Sequence, residues 1–269
     1  MRGGWAGAGL IMVLVLFPVA AMAQGGPPMI TDDPDTPGPG FWEINVVTIL
    51  QKSRLERRLE GPLADINYGV GRRIQLKFEM PWLSVRETGM PVQAGPGNAL
   101  LGVKWRFLGQ EGWRIAWSIY PQLEINTGRS MAQQGFLDEG PAFFMPTELT
   151  FQTGGFEING EVGRTFVQSG DDGWSFGVST EVELHSRFEL LGEVHGDRSG
   201  TAPTELIVNV GARQQLTRRV TFMVAVGRSV HGAPDERLQL RLDVGLQFNL
   251  PHRYTFTHPT LSKPVARPL

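Results

Sequence analysis

The sequence contains no cysteine, which excludes disulfide scaffolds and thiolate metal sites. Charged residues make up only 19% of it, and 25 basic residues stand against 27 acidic ones, so it lacks the basic excess of a nucleic-acid-binding protein. Beyond its first 23 residues it has no apolar run long enough for a membrane-spanning helix. Helical periodicity of the apolar residues is also missing, so we expect an all-β protein.

Residues 1–23 have the pattern of a secretory signal peptide. Arg2 precedes an apolar stretch over residues 10–20, and Ala21-Met22-Ala23 fits a cleavage site of the small-x-small type before Gln24. The apolar stretch is shorter than the ~20 residues of a spanning helix, so we expect cleavage rather than a retained anchor. The sequence thus predicts an exported protein.

Apolar and polar residues alternate along most of the exported part. In residues 238–249, for example, Leu238, Leu240 and Leu242 point one way, whereas Gln239 and Arg241 point the other way. Alternation with a period of two is the pattern of a β-strand that has two different faces. It predicts twelve strands, at about 42–51, 63–70, 74–86, 98–108, 112–126, 142–152, 155–167, 174–184, 187–196, 204–216, 220–228 and 238–249.

The connections between these strands alternate between short and long. Short turns are predicted near 71–73, 109–111, 153–154, 185–186 and 217–219, and longer loops near 52–62, 87–97, 127–141, 168–173, 197–203 and 229–237. Antiparallel pairing would collect all short turns at one end, as in outer-membrane barrels with short periplasmic turns. We therefore predict a transmembrane antiparallel up-and-down β-barrel of about 12 strands. The rival fold is a soluble sandwich or small barrel with the apolar face inside.

Several segments carry a family resemblance. They are residues 30–46, ITDDPDTPGPGFWEINV, residues 63–81, LADINYGVGRRIQLKFEMP, and further stretches at 97–112, 140–163 and 190–197. In their order they resemble the "MetA-pathway of phenol degradation" family of outer-membrane proteins, over residues 30–249. The resemblance implies a β-barrel that passes small, often hydrophobic or aromatic, molecules across the outer membrane, with no enzyme activity and no assigned substrate.

If the apolar face meets lipid, the other face lines a lumen. Strand parity assigns to it a candidate lumen set in which acidic residues outnumber basic ones: Lys77, Glu79, Arg106, Glu124, Glu148, Glu157, Glu161, Glu181, Glu183, Glu193, His195, Arg213, Arg241 and Asp243. One interpretation is an acid-leaning pore that favours cations. The other is that these charges pair across a narrow interior and fill it, because twelve strands lie between filled and open barrels.

The segments that flank the predicted barrel, residues 41–249, are rich in proline. Residues 24–40 cannot form a helix or a central strand. They are either an extended periplasmic lead-in to the first strand or a plug that folds into the periplasmic mouth. Residues 250–269 are predicted to be a periplasmic tail. The longest loop, 127–141, either folds into the pore or faces outside partners.

Catalytic and metal-binding patterns are weak. Gly173-Trp174-Ser175-Phe176-Gly177 matches the G-x-S-x-G string, but it opens a strand that no helix follows, so it lacks the context of a nucleophile elbow. The five histidines show no zinc-ligand spacing, and Asp32-Asp33-Pro34-Asp35 fails the EF-hand spacing. We therefore predict no catalytic residues, no metal and no cofactor. His195 would make a hydrogen bond in the lumen.

Together these patterns predict a non-enzymatic channel or transporter for small molecules in the outer membrane of a Gram-negative bacterium. Its expected partners are the lipid bilayer, a small-molecule solute and the barrel-assembly machinery, with no nucleic acid. The alternative is a structural outer-membrane barrel with a closed, charge-filled interior. The sequence leaves the solute, the oligomeric state and the openness of the lumen undetermined.

Overall fold

The fold was analysed in a computed structural model that describes residues 26–110, 113–137, 140–168 and 170–251. The predicted signal peptide and nearly all of the predicted tail lie outside these residues. The described residues form one short helix, α1 (Arg129–Ala132), and fourteen strand segments. These are β1 (Phe41–Lys52), β2 (Glu56–Val70), β3 (Ile74–Glu87), β4 (Gln93–Pro96), β5 (Ala99–Leu108), β6 (Ile115–Ile119), β7 (Gln122–Ile125), β8 (Ala142–Thr153), β9 (Phe156–Val167), β10 (Gly173–His185), β11 (Phe188–Ser199), β12 (Glu205–Thr217), β13 (Val220–His231) and β14 (Leu240–Pro251).

These segments form a closed antiparallel barrel of twelve strands. Sequence neighbours pair with each other, and β1 pairs with β14 along its whole length, which closes the sheet and leaves no free edge. Two barrel strands are each made of two segments. β4 and β5 pair with successive parts of β3, and β6 and β7 both bridge β5 and β8. The second break falls at Tyr120 and Pro121, where proline cannot donate a ladder hydrogen bond.

The apolar face of the barrel points outward. On β10, Trp174 and Val178 are 50% and 56% exposed, whereas Ser179 and Glu181, on the opposite face of the same strand, are almost fully buried. Exposed tryptophans on other strands, such as Trp82 and Trp105, have the same outward orientation. An apolar outside and a polar inside fit a barrel in lipid and exclude the soluble alternative, whose apolar face would be inside. No helix among the described residues is long and apolar enough to cross a membrane.

The connections follow the predicted alternation with two corrections, one of which is that the predicted loop at 87–97 contains β4. Turns at 71–73, 154–155, 186–187 and 218–219 join strands at one end of the barrel. At the other end, the predicted loop at 52–62 is wrong, because β2 already begins at Glu56 and only residues 53–55 connect it to β1. The charged residues and Gly61-Pro62 indicated a loop, but a register shift between Glu60 and Leu63 accommodates the proline within the strand.

The longest connection folds inward at the end opposite the short turns. It contains α1, whose Met131 is fully buried against Leu83 and Val85 of β3, and Phe136 and Leu137 pack on the same cluster. Of the two alternatives for this loop, the structure has the one in which the loop folds into the barrel mouth.

Candidate functional site

The N-terminal segment, defined here as residues 26–40, lies inside the barrel. It begins beside Arg213 of β12, whose guanidinium donates to the carbonyl oxygens of Gly26 and Pro27. Its apex is Thr31, which is fully buried and lies 3.5 Å from His195 Nδ1 in the middle of β11. The chain then returns to the end with the short turns, where the Gly40 amide donates to the Gly69 carbonyl just before β1. These contacts place residues 26–40 against the inner wall of the barrel rather than outside it.

Backbone amides of the segment donate to carboxylates of the inner wall. The Ile30 amide lies 3.1 Å from Glu193 Oε2, and the Thr31 amide donates to Glu193 Oε1. The Asp32 amide lies 3.1 Å from Glu161 Oε2. Three consecutive amides are thus held by charge-assisted hydrogen bonds, which are stronger than those between neutral groups.

Carboxylates of the segment meet cations on β5. Asp32 Oδ1 lies 3.1 Å from Lys104 Nζ, which also donates to the Asp33 carbonyl oxygen, and Asp35 pairs with Arg106. Burial raises the pKa of Asp35 to about 6, while Arg106 acts in the opposite direction. Seating this carboxylate inside the barrel therefore costs free energy that its partner only partly offsets.

Glycine makes the close approach of the segment possible. A Cβ atom at Gly177 of β10 would collide with the Thr31 hydroxyl, and one at Gly211 of β12 would collide with the methyl group of Met29. Both glycines therefore leave room that any larger residue would fill.

The structure brings most of the candidate lumen set together as ion pairs and hydrogen-bonded pairs. Lys77 pairs with Glu79 at 2.9 Å, Arg213 with Glu181 at 2.8 Å and Arg241 with Asp243 at 2.8 Å. Amides satisfy other members: Asn98 donates to Glu124, Asn159 to Glu157 and Asn209 to Glu193. Glu148 accepts from Ser118 and lies 3.3 Å from Lys104. Glu183 is the exception, because its position near the end of β10 leaves it exposed.

Further inner-face residues belong to the same network. Lys104, which strand parity assigns to the lumen face with the other charged residues, is almost fully buried, and its ammonium lies 4.6 Å from the ring centre of the buried Tyr120. Parity also assigns Glu43 and Asp65 to this face, and Asn45 bridges them. The bridging asparagines are the members that charge alone does not indicate, because their side chains are neutral.

The surroundings of His195 show whether Ser175 of the G-x-S-x-G string has the partners of a catalytic serine. Its Nε2 lies 3.1 Å from Ser175 Oγ and 3.2 Å from Asp197 Oδ2. A serine triad needs the acid on the ring nitrogen that does not face the serine. Serine and aspartate share one nitrogen here, so this arrangement lacks the geometry of a triad.

Part of the inner wall is apolar. Val47, Leu63 and Met223 form one buried cluster, with Gly245 between the strands of Met223 and Val47. Leu83, Val85 and Met131 form another at the mouth opposite the short turns. We call these six residues the inner apolar strip, which runs across β13, β1, β2 and β3 towards that mouth.

Two cavities among the described residues differ in size. At the mouth opposite the short turns, a cavity of about 470 Å³ is lined by residues that include Gln51, Glu87 and Asp235. Beside the N-terminal segment, a cavity of only about 30 Å³ is lined by Asp33, Asp65 and Lys77 among others. The smaller volume holds one or two water molecules, so this cavity has no room for a larger molecule beside the segment.

These features define an all-β, closed, twelve-stranded antiparallel barrel with the fold of outer-membrane channels. The COG4313 outer membrane channel from Pseudomonas putida F1 is similar to it at a TM-score of 0.65 and 12% identity, over 81% of this chain and 98% of that one. The KdgM porin matches at a TM-score of 0.53 and 11% identity, over 77% of this chain and 98% of that one. The NanC porin matches at 0.54 and 9%, over 77% of this chain and 100% of that one.

Sequence comparisons add no assignment. No family model matches the chain, and no curated protein sequence matches it. The resemblance noted in the sequence therefore stays a prediction.

Proposed function

We propose that this chain is a channel of the bacterial outer membrane that passes small molecules, and that the N-terminal segment closes its periplasmic half. The observation that carries the proposal is a segment seated in the lumen of a barrel whose outside is apolar. The fold shared with channels and porins supports it. By the usual orientation of such barrels, the short turns and the N-terminal segment lie on the periplasmic side.

The solutes we propose are small molecules, among them hydrophobic or aromatic ones. The resemblance to the MetA-pathway family suggests this class, and the inner apolar strip lies on the lumen side of the wall, although α1 and neighbouring side chains bury it in this structure. The structures with TM-scores above 0.5 are channels and porins, so we propose no enzymatic role. The lipid bilayer and the barrel-assembly machinery are the further partners that this function requires.

The second candidate is a structural barrel with a closed, charge-filled interior. The ion pairs of the candidate lumen set favour it, because paired charges can fill a narrow barrel permanently. The two candidates differ in whether the N-terminal segment can leave the lumen.

Planar-bilayer conductance of the full-length barrel tests the proposal. In Gly177→Val, the new side chain takes the space of Thr31 and drives the segment out, so we expect a conductance several-fold above that of the parent protein. Gly160→Val is the matched control, because a Cβ at Gly160 of β9 meets nothing closer than 4.0 Å. If neither the parent nor Gly177→Val gives channel events in repeated insertions, the structural alternative holds.

A further inference from the structure

Asp32 of the N-terminal segment occupies a position between opposite charges. Its backbone amide donates to Glu161 of β9, while its carboxylate lies 3.1 Å from the ammonium of Lys104 of β5. Glu161 and Lys104 are both buried, so neither charge is held by bulk water. One residue thus supplies an N–H donor to an acidic group and a carboxylate to a basic group.

Glu161 and its neighbour Glu148 form the acidic half of this site, and one oxygen of Glu148 accepts no hydrogen bond from the segment. Glu148 of β8 lies directly opposite Glu161 in the strand register and is fully buried. Its Oε2 accepts from Ser118, but its Oε1 has no hydrogen-bond partner among the described residues. A buried carboxylate oxygen without a donor is costly, and a backbone amide has only one hydrogen to give.

An ammonium group would fit the acidic half better than the amide does. It has three donors, enough for Glu161 and for the free oxygen of Glu148 together. Lys104, in turn, would lose the Asp32 carboxylate when the segment leaves and would keep Glu148 at 3.3 Å, so a solute carboxylate would take the place of Asp32. The distance between the two halves is that between the backbone nitrogen and the side-chain carboxylate of Asp32, which are separated by two carbon atoms as in a β-amino acid.

We propose that Glu148, Glu161 and Lys104 form a zwitterion site, which takes the ammonium and the carboxylate of a small β-amino acid, and that Asp32 occupies this site while the segment is seated. The inference rests on the proposed channel function and names a substrate class for it. The solute competes with Asp32, so its binding and the release of the segment are coupled. A neutral molecule of the same size would bring no cation to Glu161 and no anion to replace Asp32 beside Lys104.

Proteoliposome swelling with two isomers tests the site. 3-Aminopropanoate and 3-hydroxypropanamide have the same atoms, but only 3-aminopropanoate carries the two charges. We expect 3-aminopropanoate to enter several-fold faster than 3-hydroxypropanamide through the parent protein and through Gly177→Val. Glu161→Gln removes the partner of the solute ammonium, and in either background it should bring the ratio of the two rates towards one. Lys104→Gln removes the partner of the solute carboxylate and should have the same effect. Asp172→Asn, which changes an exposed carboxylate paired with Arg164, is the control that keeps the ratio of its parent.

The outcomes separate the two levels of the proposal. Equal rates for the two isomers in a conducting Gly177→Val barrel overturn the zwitterion site and leave the channel standing. A ratio that survives both Glu161→Gln and Lys104→Gln overturns it as well. If Gly177→Val passes neither isomer and gives no conductance, the channel function fails and the site with it.

Discussion

Arg213 ties the N-terminal segment to the barrel wall. Its guanidinium lies 2.8 Å from Glu181 and 3.8 Å from Glu189, and it also donates to the carbonyl oxygens of Gly26 and Pro27. Arg213 and Glu181 are both buried, and a buried charge without a partner lowers the free energy of unfolding. The residue therefore contributes both to the stability of the barrel and to the position of the segment.

We expect Arg213→Met to lower the free energy of unfolding by roughly 3–5 kcal/mol, because Glu181 would stay buried without its cation. The double variant Arg213→Met/Glu181→Met should recover most of that loss, since neither charge is then left alone. Denaturant unfolding in lipid vesicles measures both. A single variant as stable as the parent protein, or a double variant as unstable as the single one, would contradict this account of the pair.

Sequence parity predicted single positions well but not their partners. It placed Glu161, Glu193 and His195 on the inner face, where the structure has them. It could not show that Thr31 contacts Glu193, because 162 residues separate them and the contact depends on barrel closure. The proline-rich composition of the segment likewise excluded a helix without deciding between a lead-in and a plug.

At the level of the element, β10 has an apolar outer face and a polar inner face. Its outward residues Trp174, Phe176 and Val178 are exposed, while its inward Gly177, Ser179 and Glu181 are buried. Val178 is central in the strand, and Leu184 on the same face lies next to its end. The depth of these two residues in the bilayer should therefore differ.

This difference predicts a graded response to charge. Val178→Arg should cost about 2–4 kcal/mol of unfolding free energy in a bilayer, and Leu184→Arg about 0–1 kcal/mol, because a charge near the interface stays hydrated. Reversible unfolding from vesicles measures the two values. Equal costs for both variants, or a small cost for Val178→Arg, would contradict the placement of this face in lipid.

Strand boundaries were predictable where alternation was uninterrupted and less so elsewhere. β13 and β14 lie close to their predicted positions, whereas β2 starts seven residues before the predicted 63. The charged start of β2 has no apolar face to mark it, and its pairing with β1 and β3 stabilises it instead. Alternation alone also does not encode the breaks within two of the barrel strands. The break between β4 and β5 shifts the register against β3 by one residue, whereas the break between β6 and β7 keeps the register and falls at Pro121.

For the whole molecule, the twelve-strand closure and the apolar outside followed from the sequence, and the state of the lumen did not. A twelve-stranded barrel is wide enough to hold more than side chains. Here the extra volume at the end with the short turns is taken by the N-terminal segment, which uses the same carboxylates and cations that a solute would meet. Under the proposed function, release of this segment would open the channel, and residues 26–40 belong to none of the strands.

The most direct test of this closure is a reversible lock on the segment. The chain has no cysteine, so Thr31→Cys/Gly177→Cys creates a single possible disulfide, and the Thr31 Cβ lies 3.2 Å from the Cβ position of residue 177, slightly closer than the usual separation in a disulfide. We predict a closed barrel under oxidising conditions and a several-fold rise in single-channel conductance after reduction, with no such change in Thr31→Cys alone. The same conductance before and after reduction, with the disulfide verified by mass spectrometry, would contradict the claim that the N-terminal segment closes the channel.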